Sequence, residues 1–310
     1  MYTCQKADEY IEKNRVDRAD KPEFHLTTPV GWLNDPNGFS IYGGKAHLFY
    51  QFHPYSTEWG PMHWGHSTSD DFIRWEELPT ALAPDSDYDA FGCFSGTAIE
   101  NDGKHVLFYT GVVEEKMADG TKNVIQNQCM AVGAGISYEK ISSNPVVDGK
   151  IMPEECSRAD FRDPKVWKDA DGRYYMLAGN RTYNGIPQVV LFSSDDMYNW
   201  KFESVFAKDE TGRFGAVWEC PDYFEMDGHK VLIVSPQDMS ADGEFHNGNN
   251  VVFFTGDVDE EKHIFKYEKA VSVDSGFDFY APQTIRTPDG RRVMIGWMQS
   301  WDSVNTLPRG

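Results

Sequence analysis

The sequence predicts an all-β fold, a five-bladed β-propeller, and three observations carry that expectation. A hairpin pattern recurs five times, a second hairpin follows most copies of it, and acidic residues fall at one phase of the repeat. The five copies are FSIYGGKAHLFYQF (39–52), TAIENDGKHVLFYTG (97–111), KVWKDADGRYYMLAG (165–179), DYFEMDGHKVLIVS (222–235) and QTIRTPDGRRVMIGW (283–297). Each reads as a short strand, a turn and an aliphatic or aromatic strand. Four turns are Asp-Gly and the first is Gly-Gly, dipeptides that suit two-residue hairpin loops because glycine tolerates positive φ. The second turn glycines, Gly44, Gly103, Gly172, Gly228 and Gly290, are spaced 59, 69, 56 and 62 residues apart. That regularity marks an array.

The second hairpins complete the blades. HWGHSTSDDFIRWEEL and VVLFSSDDMYNWKFES are near copies, each with Ser-Asp-Asp, an apolar residue and a Trp (Ser69 to Trp75, Ser194 to Trp200). CMAVGAGISYEKIS and VVFFTGDVDEEKHIFKYEK fill the same place in two other repeats. Two hairpins make a four-stranded sheet, and five such sheets arranged radially close a propeller. A β-sandwich explains the strands but not the period. The division expected is an N-terminal appendage over 1–22, helical within 5–19, and the propeller over 23–310. The fifth repeat is short, with only 13 residues after Trp297. Either the N-terminal segment supplies an outer strand to close the ring or the chain is a fragment.

Composition narrows the partners. Against 29 Lys and Arg stand 49 Asp and Glu, a net charge of −20, which opposes nucleic acid and anionic membrane surfaces. The first twenty residues hold no apolar core of a signal peptide, and no run is long and apolar enough to span a membrane. Five cysteines with no C-x-x-C pair fit a reducing cytoplasm better than a disulfide framework, and the sequon at Asn180 then carries no glycan. Nothing in the sequence fixes an oligomeric state.

Counting back from each turn glycine, Asp35, Asp163 and Glu219 each lie nine residues before it, Ser95 eight and Tyr280 ten. Equivalent positions on the first strand of each blade surround the central channel, so three acids should meet at one mouth. Asp35 and Asp163 precede Pro, which favours extended backbone and removes a donor. Three close carboxylates can hold a hard cation. They can also cleave a glycoside, one attacking while another stays protonated for the leaving oxygen. Nearby Trp, Asn, Gln and Arg suit a sugar.

WLNDPNG (32–38), FYQ (49–51), EWG (58–60), FSG (94–96), FRDPK (161–165), ECPD (219–222), FYAPQ (279–283) and GWMQSW (296–301), in this order, resemble glycoside hydrolase family 32. The resemblance runs from about residue 23 to 301. It implies a five-bladed propeller, normally followed by a β-sandwich, and cleavage of β-fructofuranosides with retention. By the same resemblance Asp35 is the nucleophile, Glu219 the general acid and then base, and Asp163 the transition-state stabiliser that binds fructose hydroxyls. Asn34, Gln51, Trp59, Phe94, Ser95, Arg162, Tyr280 and Trp297 match positions lining the fructose pocket, with Arg162 helping to keep Asp163 ionised. Retention implies Asp35 and Glu219 carboxyls about 5–5.5 Å apart. No metal and no cofactor are implied. Sucrose, sucrose 6-phosphate and short fructo-oligosaccharides are the expected substrates. The sandwich is absent, and LPR (307–309) follows GWMQSW sooner than the family pattern has it. Those departures keep one alternative open, a truncated, non-hydrolytic fructan-binding module, and a fructosyltransferase is a further alternative.

Three other features have plainer readings. His63 and His66 point to opposite faces of a strand, which argues against a shared metal. Cys220 has no His partner and reads as packing. Asp70-Asp71 and Asp195-Asp196 read as turn residues.

Overall fold

A computed structural model describes residues 1–16, 21–276 and 278–304. The chain opens with helix α1 (Cys4–Asn14), whose first turn is capped by the Thr3 hydroxyl accepting from Lys6 N. Ala7 and Ile11, one turn apart, are its buried residues. The Asp8 carboxylate accepts from Thr80 N and ties the helix to the propeller body. The expected helix therefore stops at Asn14. The end of the predicted stretch, 17–19, and LPR at 307–309 lie outside the described residues.

The strands follow as antiparallel meanders. The first sheet holds β1 (Trp32–Tyr42), β2 (Lys45–His53), β3 (His63–Ser69) and β4 (Glu76–Leu82) in chain order. The second holds β5 (Gly92–Asn101), β6 (Lys104–Lys116), β7 (Lys122–Gly133) and β8 (Tyr138–Lys140). The third holds β9 (Cys156–Lys168), β10 (Tyr174–Thr182), β11 (Pro187–Ser194) and β12 (Lys201–Lys208). The fourth holds β13 (Val217–Met226), β14 (His229–Gln237), β15 (Val252–Asp259) and β16 (Ile264–Ser272). A final pair, β17 (Tyr280–Arg286) and β18 (Arg292–Trp297), forms a sheet of two. Among the described residues the architecture is an all-β propeller of four full blades, so the expected count of five blades is corrected: the short fifth repeat builds a hairpin. The five inner strands β1, β5, β9, β13 and β17 touch in a cycle, β17 lying between β13 and β1. Beside β18 an apolar cavity of about 480 Å³ is lined by Leu26, Leu48, Phe72, Trp75 and Ile295.

The turn chemistry accounts for the hairpins. Gly44, Gly103, Gly172, Gly228 and Gly290 all hold φ between 73° and 90°, where a side chain is strained. The twin Ser-Asp-Asp turns are alike in detail. Ser69 Oγ accepts from Phe72 N at 2.8 Å and Ser194 Oγ from Met197 N at 2.9 Å. Asp71 and Asp196 each accept from two further backbone amides, so these acids build turns, as expected.

The core is a set of seams between blades. Val106, Phe108, Met130, Met176, Val190 and Phe192 join the second and third blades, and Leu177, Leu191, Leu232, Val252 and Phe254 join the third and fourth. Middle strands are covered on both faces, so β11 is buried at every position rather than alternating. Polar contacts plug the channel axis. Gln283 accepts from Phe39 N and donates to Gly96 O, linking β17 to β1 and β5. Lys165 pairs with buried Asp222 at 2.9 Å, and Thr97 Oγ1 donates to Pro164 O.

A histidine cluster fills the seam between the first two blades. His47 and His66 share a hydrogen bond of 3.0 Å, Phe49 stacks on His66, and His105 bonds Ser40 Oγ and Tyr138 Oη. Burial pushes His105 down to about 3 and nearby His63 to about 4, and lowers His66 and His47. In the unfolded chain each imidazole takes its proton near 6.5. Between that value and the folded ones the unfolded chain binds more protons at these positions, so the histidines' contribution to stability falls as pH drops from about 6.5 toward 4. Urea midpoints measured over that range should decline, and His105→Gln should flatten the decline. An equal slope in both proteins would show that this cluster does not set acid stability.

Candidate active site

The site grows from one irregularity repeated around the ring. Each inner strand breaks register with its neighbour at the axis: between Leu33 and Pro36, Phe94 and Gly96, Glu219 and Asp222, and Tyr280 and Gln283, with the matching break in β9 after Arg162. Such bulges release the strand from pairing and re-aim side chains. Pro36, Pro164, Pro221 and Pro282 sit at these breaks, where a missing N–H costs no ladder bond. Asp163, Cys220 and Ala281, each just before a Pro, hold positive φ of 64°, 47° and 51°. Strain of this kind persists only where the surroundings enforce it.

Aligned on these prolines, Asp35, Asp163, Cys220 and Ala281 are equivalent, with Ser95 before Gly96 taking the place in the second blade. Glu219 is one residue earlier, in line with Asn34, Arg162 and Tyr280. Counting from the turn glycines put Glu219 in phase with the two aspartates. The structure instead gives two tiers, and Cys220 stands in the aspartate tier. Cys220 N donates to Asp163 Oδ2 at 3.2 Å, and its thiol lies 3.7 Å from Asp35 Oδ2. Burial pushes that thiol well up, which suits packing and not nucleophilic attack.

The three expected acids meet, and all are buried. Asp35 Oδ2 accepts from Ser95 Oγ at 2.7 Å and Oδ1 from Asn34 Nδ2 at 3.0 Å. Asn34 is held in turn by Trp32 Nε1 at 2.6 Å. Glu219 Oε1 accepts from Arg162 Nε at 3.0 Å, and Oε2 accepts from Gln237 Nε2 at 2.7 Å and Tyr280 Oη at 2.6 Å. Asp163 N donates to Thr110 Oγ1, fixing the strained residue from the second blade.

Arg162 lies against two of these carboxylates. Its Nε is 3.7 Å from Asp163 but 3.0 Å from Glu219, because β9 and β13 are neighbours and the longer glutamate reaches across. Gln51 donates to Cys93 O, and the Asn37 amide, with its oxygen toward Gln51, accepts from Gln51 Nε2 at 2.9 Å and donates to Ser95 Oγ. Trp297 is buried against Trp32. Trp59 is 39% exposed, with its ring against Phe91 and Phe94.

Electrostatics follow from crowding. Burial, and then the charge of Glu219, pushes Asp35 up to about 6, against the hydrogen bonds from Ser95, Asn34 and Cys220. Burial also raises Asp163; Arg162 pulls it back while Glu219 and Asp35 push it further. Three carboxylates buried around one guanidinium cannot all be ionised cheaply, which is why burial and mutual repulsion raise Asp35 and Asp163.

Sequence reading missed Asn37, Thr110, Gln126 and Gln237. Asn37 lies inside the WLNDPNG motif itself. Gln237 had a signal in the hairpin register, which pairs Val217 with Gln237 and Glu219 with Ser235. Thr110 and Gln126 come from the second blade, and no short-range pattern announces them.

The fold and the site place the chain among β-propellers with a carboxylate-lined pit at the axis. It belongs to glycosyl hydrolase family 32, matching the family model "Glycosyl hydrolases family 32 N-terminal domain" over residues 25–310. It is 40% identical over 304 residues to the sucrose-6-phosphate hydrolase of Bacillus subtilis, covering 95% of this chain and 61% of that protein. It is 39% identical over 284 residues to the sucrose-6-phosphate hydrolase of Escherichia coli, covering 91% of this chain and 58% of that one. Among solved structures, the Bombyx mori GH32 beta-fructofuranosidase superposes with a TM-score of 0.87 at 40% identity, covering 98% of this chain and 62% of that one. A variant of that enzyme in complex with sucrose superposes equally well, at 39% identity. The chain thus spans about three fifths of the length of these relatives.

Proposed function

We propose that the chain is the catalytic propeller of a retaining β-fructofuranosidase acting on sucrose, sucrose 6-phosphate or short fructo-oligosaccharides. One observation carries this reading: Asp35 and Glu219 approach one buried pit from different blades with different partners. Asp35, held by Ser95 and Asn34, attacks the anomeric carbon C2 of the fructosyl unit. Glu219 gives its proton to the leaving glycosidic oxygen, and a fructosyl–Asp35 ester forms. Glu219 then takes a proton from water, whose oxygen attacks C2 and frees Asp35. Asp163 accepts hydrogen bonds from fructose hydroxyls. Asn34, Gln51, Phe94, Ser95, Arg162, Tyr280 and Trp297 line the fructose subsite, with Trp59 at its rim. The chemistry is complete with these residues and calls for no metal or cofactor.

Tyr280 suits the acid step. Its hydroxyl lies 2.6 Å from Glu219 Oε2 and 3.0 Å from Ser235 O. With its proton turned to Ser235 O, it accepts from protonated Glu219, so the acid form has a place to donate before substrate arrives.

The two-stranded sheet is read as the inner half of a fifth blade, since β17 closes the cycle of inner strands. Residues 1–22 are read as an appendage on a propeller of 23–310. No described helix is long and apolar enough to cross a membrane. Five free thiols suit the cytoplasm, and a net charge of −20 opposes nucleic acid as a partner.

Assays on sucrose, sucrose 6-phosphate and inulin in parallel test the proposal. Hydrolysis of at least one is expected, with kcat/KM falling below about pH 6 as Asp35 takes its proton. Tight sugar binding without released hexose would overturn the enzymatic reading, and trisaccharide as the main product would turn it into fructosyl transfer.

A further inference from the structure

Arg162 does not face Glu219 alone. Its Nη1 donates outward to Asp160 Oδ1 at 3.3 Å, and Gln126 Oε1 lies 3.4 Å from the same nitrogen. Asp160 then accepts from Arg181 Nε at 2.7 Å through Oδ2. The result is a ladder of alternating charge, Glu219–Arg162–Asp160–Arg181, running from the pit to the surface. Side-chain exposure rises along it, from 11% at Glu219 and Arg162 to 16% at Asp160 and 42% at Arg181.

Asp160 is held firmly at its rung. Ser157 Oγ donates to Oδ2 and accepts from Asp160 N, and Asn180 Nδ2 donates to Asp160 O. Gln188 in turn donates to Asn180 Oδ1. A carboxylate fixed in this way cannot follow Arg162 if the guanidinium turns toward the pit, so it draws on the guanidinium charge continuously.

Resting on the fructosidase reading, we propose that Asp160 and Arg181 are positioning residues that set how much of the Arg162 charge reaches Glu219, and with it the basic limb of the pH–rate profile. The single positive charge of Arg162 is divided among Glu219, Asp163 and Asp160. The more of it Asp160 takes, the less remains to stabilise ionised Glu219. Arg181 acts in the opposite sense by neutralising Asp160 from outside. The other ionisable groups facing Glu219 and Arg162 are Asp35 on β1, Asp163 on β9, Cys220 on β13 and Tyr280 on β17; they are the same in every comparison below. Burial works to raise Asp160 itself, but the guanidiniums of Arg162 and Arg181 hold it below the usual carboxylate range. It therefore keeps its charge across the working pH range.

The two rungs carry opposite charges, so their removal predicts opposite results. In Asp160→Asn the basic limb of the kcat/KM profile moves to lower pH by on the order of one unit, since one buried charge close to the pit is lost. In Arg181→Gln it moves to higher pH by roughly half a unit, because this residue is more exposed and more screened. The double variant falls between the two, and Asp160→Glu restores the native limb. A residue that only braces the fold would give shifts of one sign or none. Shifts in the same direction, or unmoved limbs in folded variants, overturn the proposal. Should Asp160→Asn fail to fold, Arg181→Gln decides alone, and an unmoved limb there is sufficient to reject it. Absence of turnover in the native chain counts against the fructosidase reading instead. The ladder is then judged by carboxyl ¹³C titration of Glu219, in which the same opposed displacements are expected and their absence rejects it.

Discussion

Glu219→Ala is expected to lower kcat for sucrose by about 10²–10⁴-fold, the range for loss of a general acid. The sugar alkoxide is a poor leaving group, and Glu219 is held through both its oxygens by Arg162, Gln237 and Tyr280. Asp35 is occupied by Ser95 and Asn34, and Asp163 by Cys220 N, so neither can swing over to replace it. A substrate whose leaving group departs without a proton, such as β-fructofuranosyl fluoride, should lose far less in the first step. The second step also changes. Without its base the ester waits for a nucleophile that needs no deprotonation. Added azide should therefore restore turnover and give a fructosyl azide of retained configuration. Unaltered sucrose turnover in a folded variant, or azide without effect, would remove Glu219 from the acid–base role.

Much of this arrangement is legible in the sequence, and the limits are physical. Turn glycines are local features, so their spacing exposes the repeat and hence which strands line the axis. The Asp-Pro pairs at 35–36 and 163–164 are local too, and they mark the bulges that aim those carboxylates. Glu219 is different. Its nine-residue offset matches the aspartates, yet it is Cys220 that precedes the proline and takes the aspartate-like place. A count along one strand cannot tell these apart, because a bulge adds a residue without changing the hairpin. Arg162 shows a second limit. Adjacency in FRDPK suggests Asp163 as its partner, and the structure adds a shorter contact across blades, 3.0 Å to Glu219 against 3.7 Å to Asp163. The ladder through Asp160 and Arg181 depends on the pairing of β9 with β10, a register no short pattern in either strand declares. The short fifth sheet was legible as a missing second hairpin after Trp297.

Asp35→Ala is expected to abolish turnover more completely, by on the order of 10⁴–10⁶-fold, as removal of a covalent nucleophile does. The variant also separates chemistry from folding. Asp35 has its pKa raised from 3.8 to about 6, chiefly by burial. A carboxyl raised in this way binds its proton more tightly folded than unfolded, so its contribution to stability declines as pH rises through that window. Above about pH 6 the ionised side chain costs the folded state roughly 3 kcal/mol. Alanine relieves that cost while leaving Ser95 and Asn34 to find other partners, so the variant should melt no lower than the native protein at pH 7. The difference should shrink as pH falls toward 4. A dead enzyme that is at least as stable is the signature of a group placed for reaction against the preference of the fold. The same logic gives a direct trap. In Glu219→Ala, incubation with the fluoride should leave one anhydrofructose unit esterified to Asp35, seen by intact mass and peptide mapping. The adduct should be missing when Asp35→Ala is added to that background. An adduct on Asp163 instead would exchange the roles of the two aspartates, and none at all would argue for direct displacement by water.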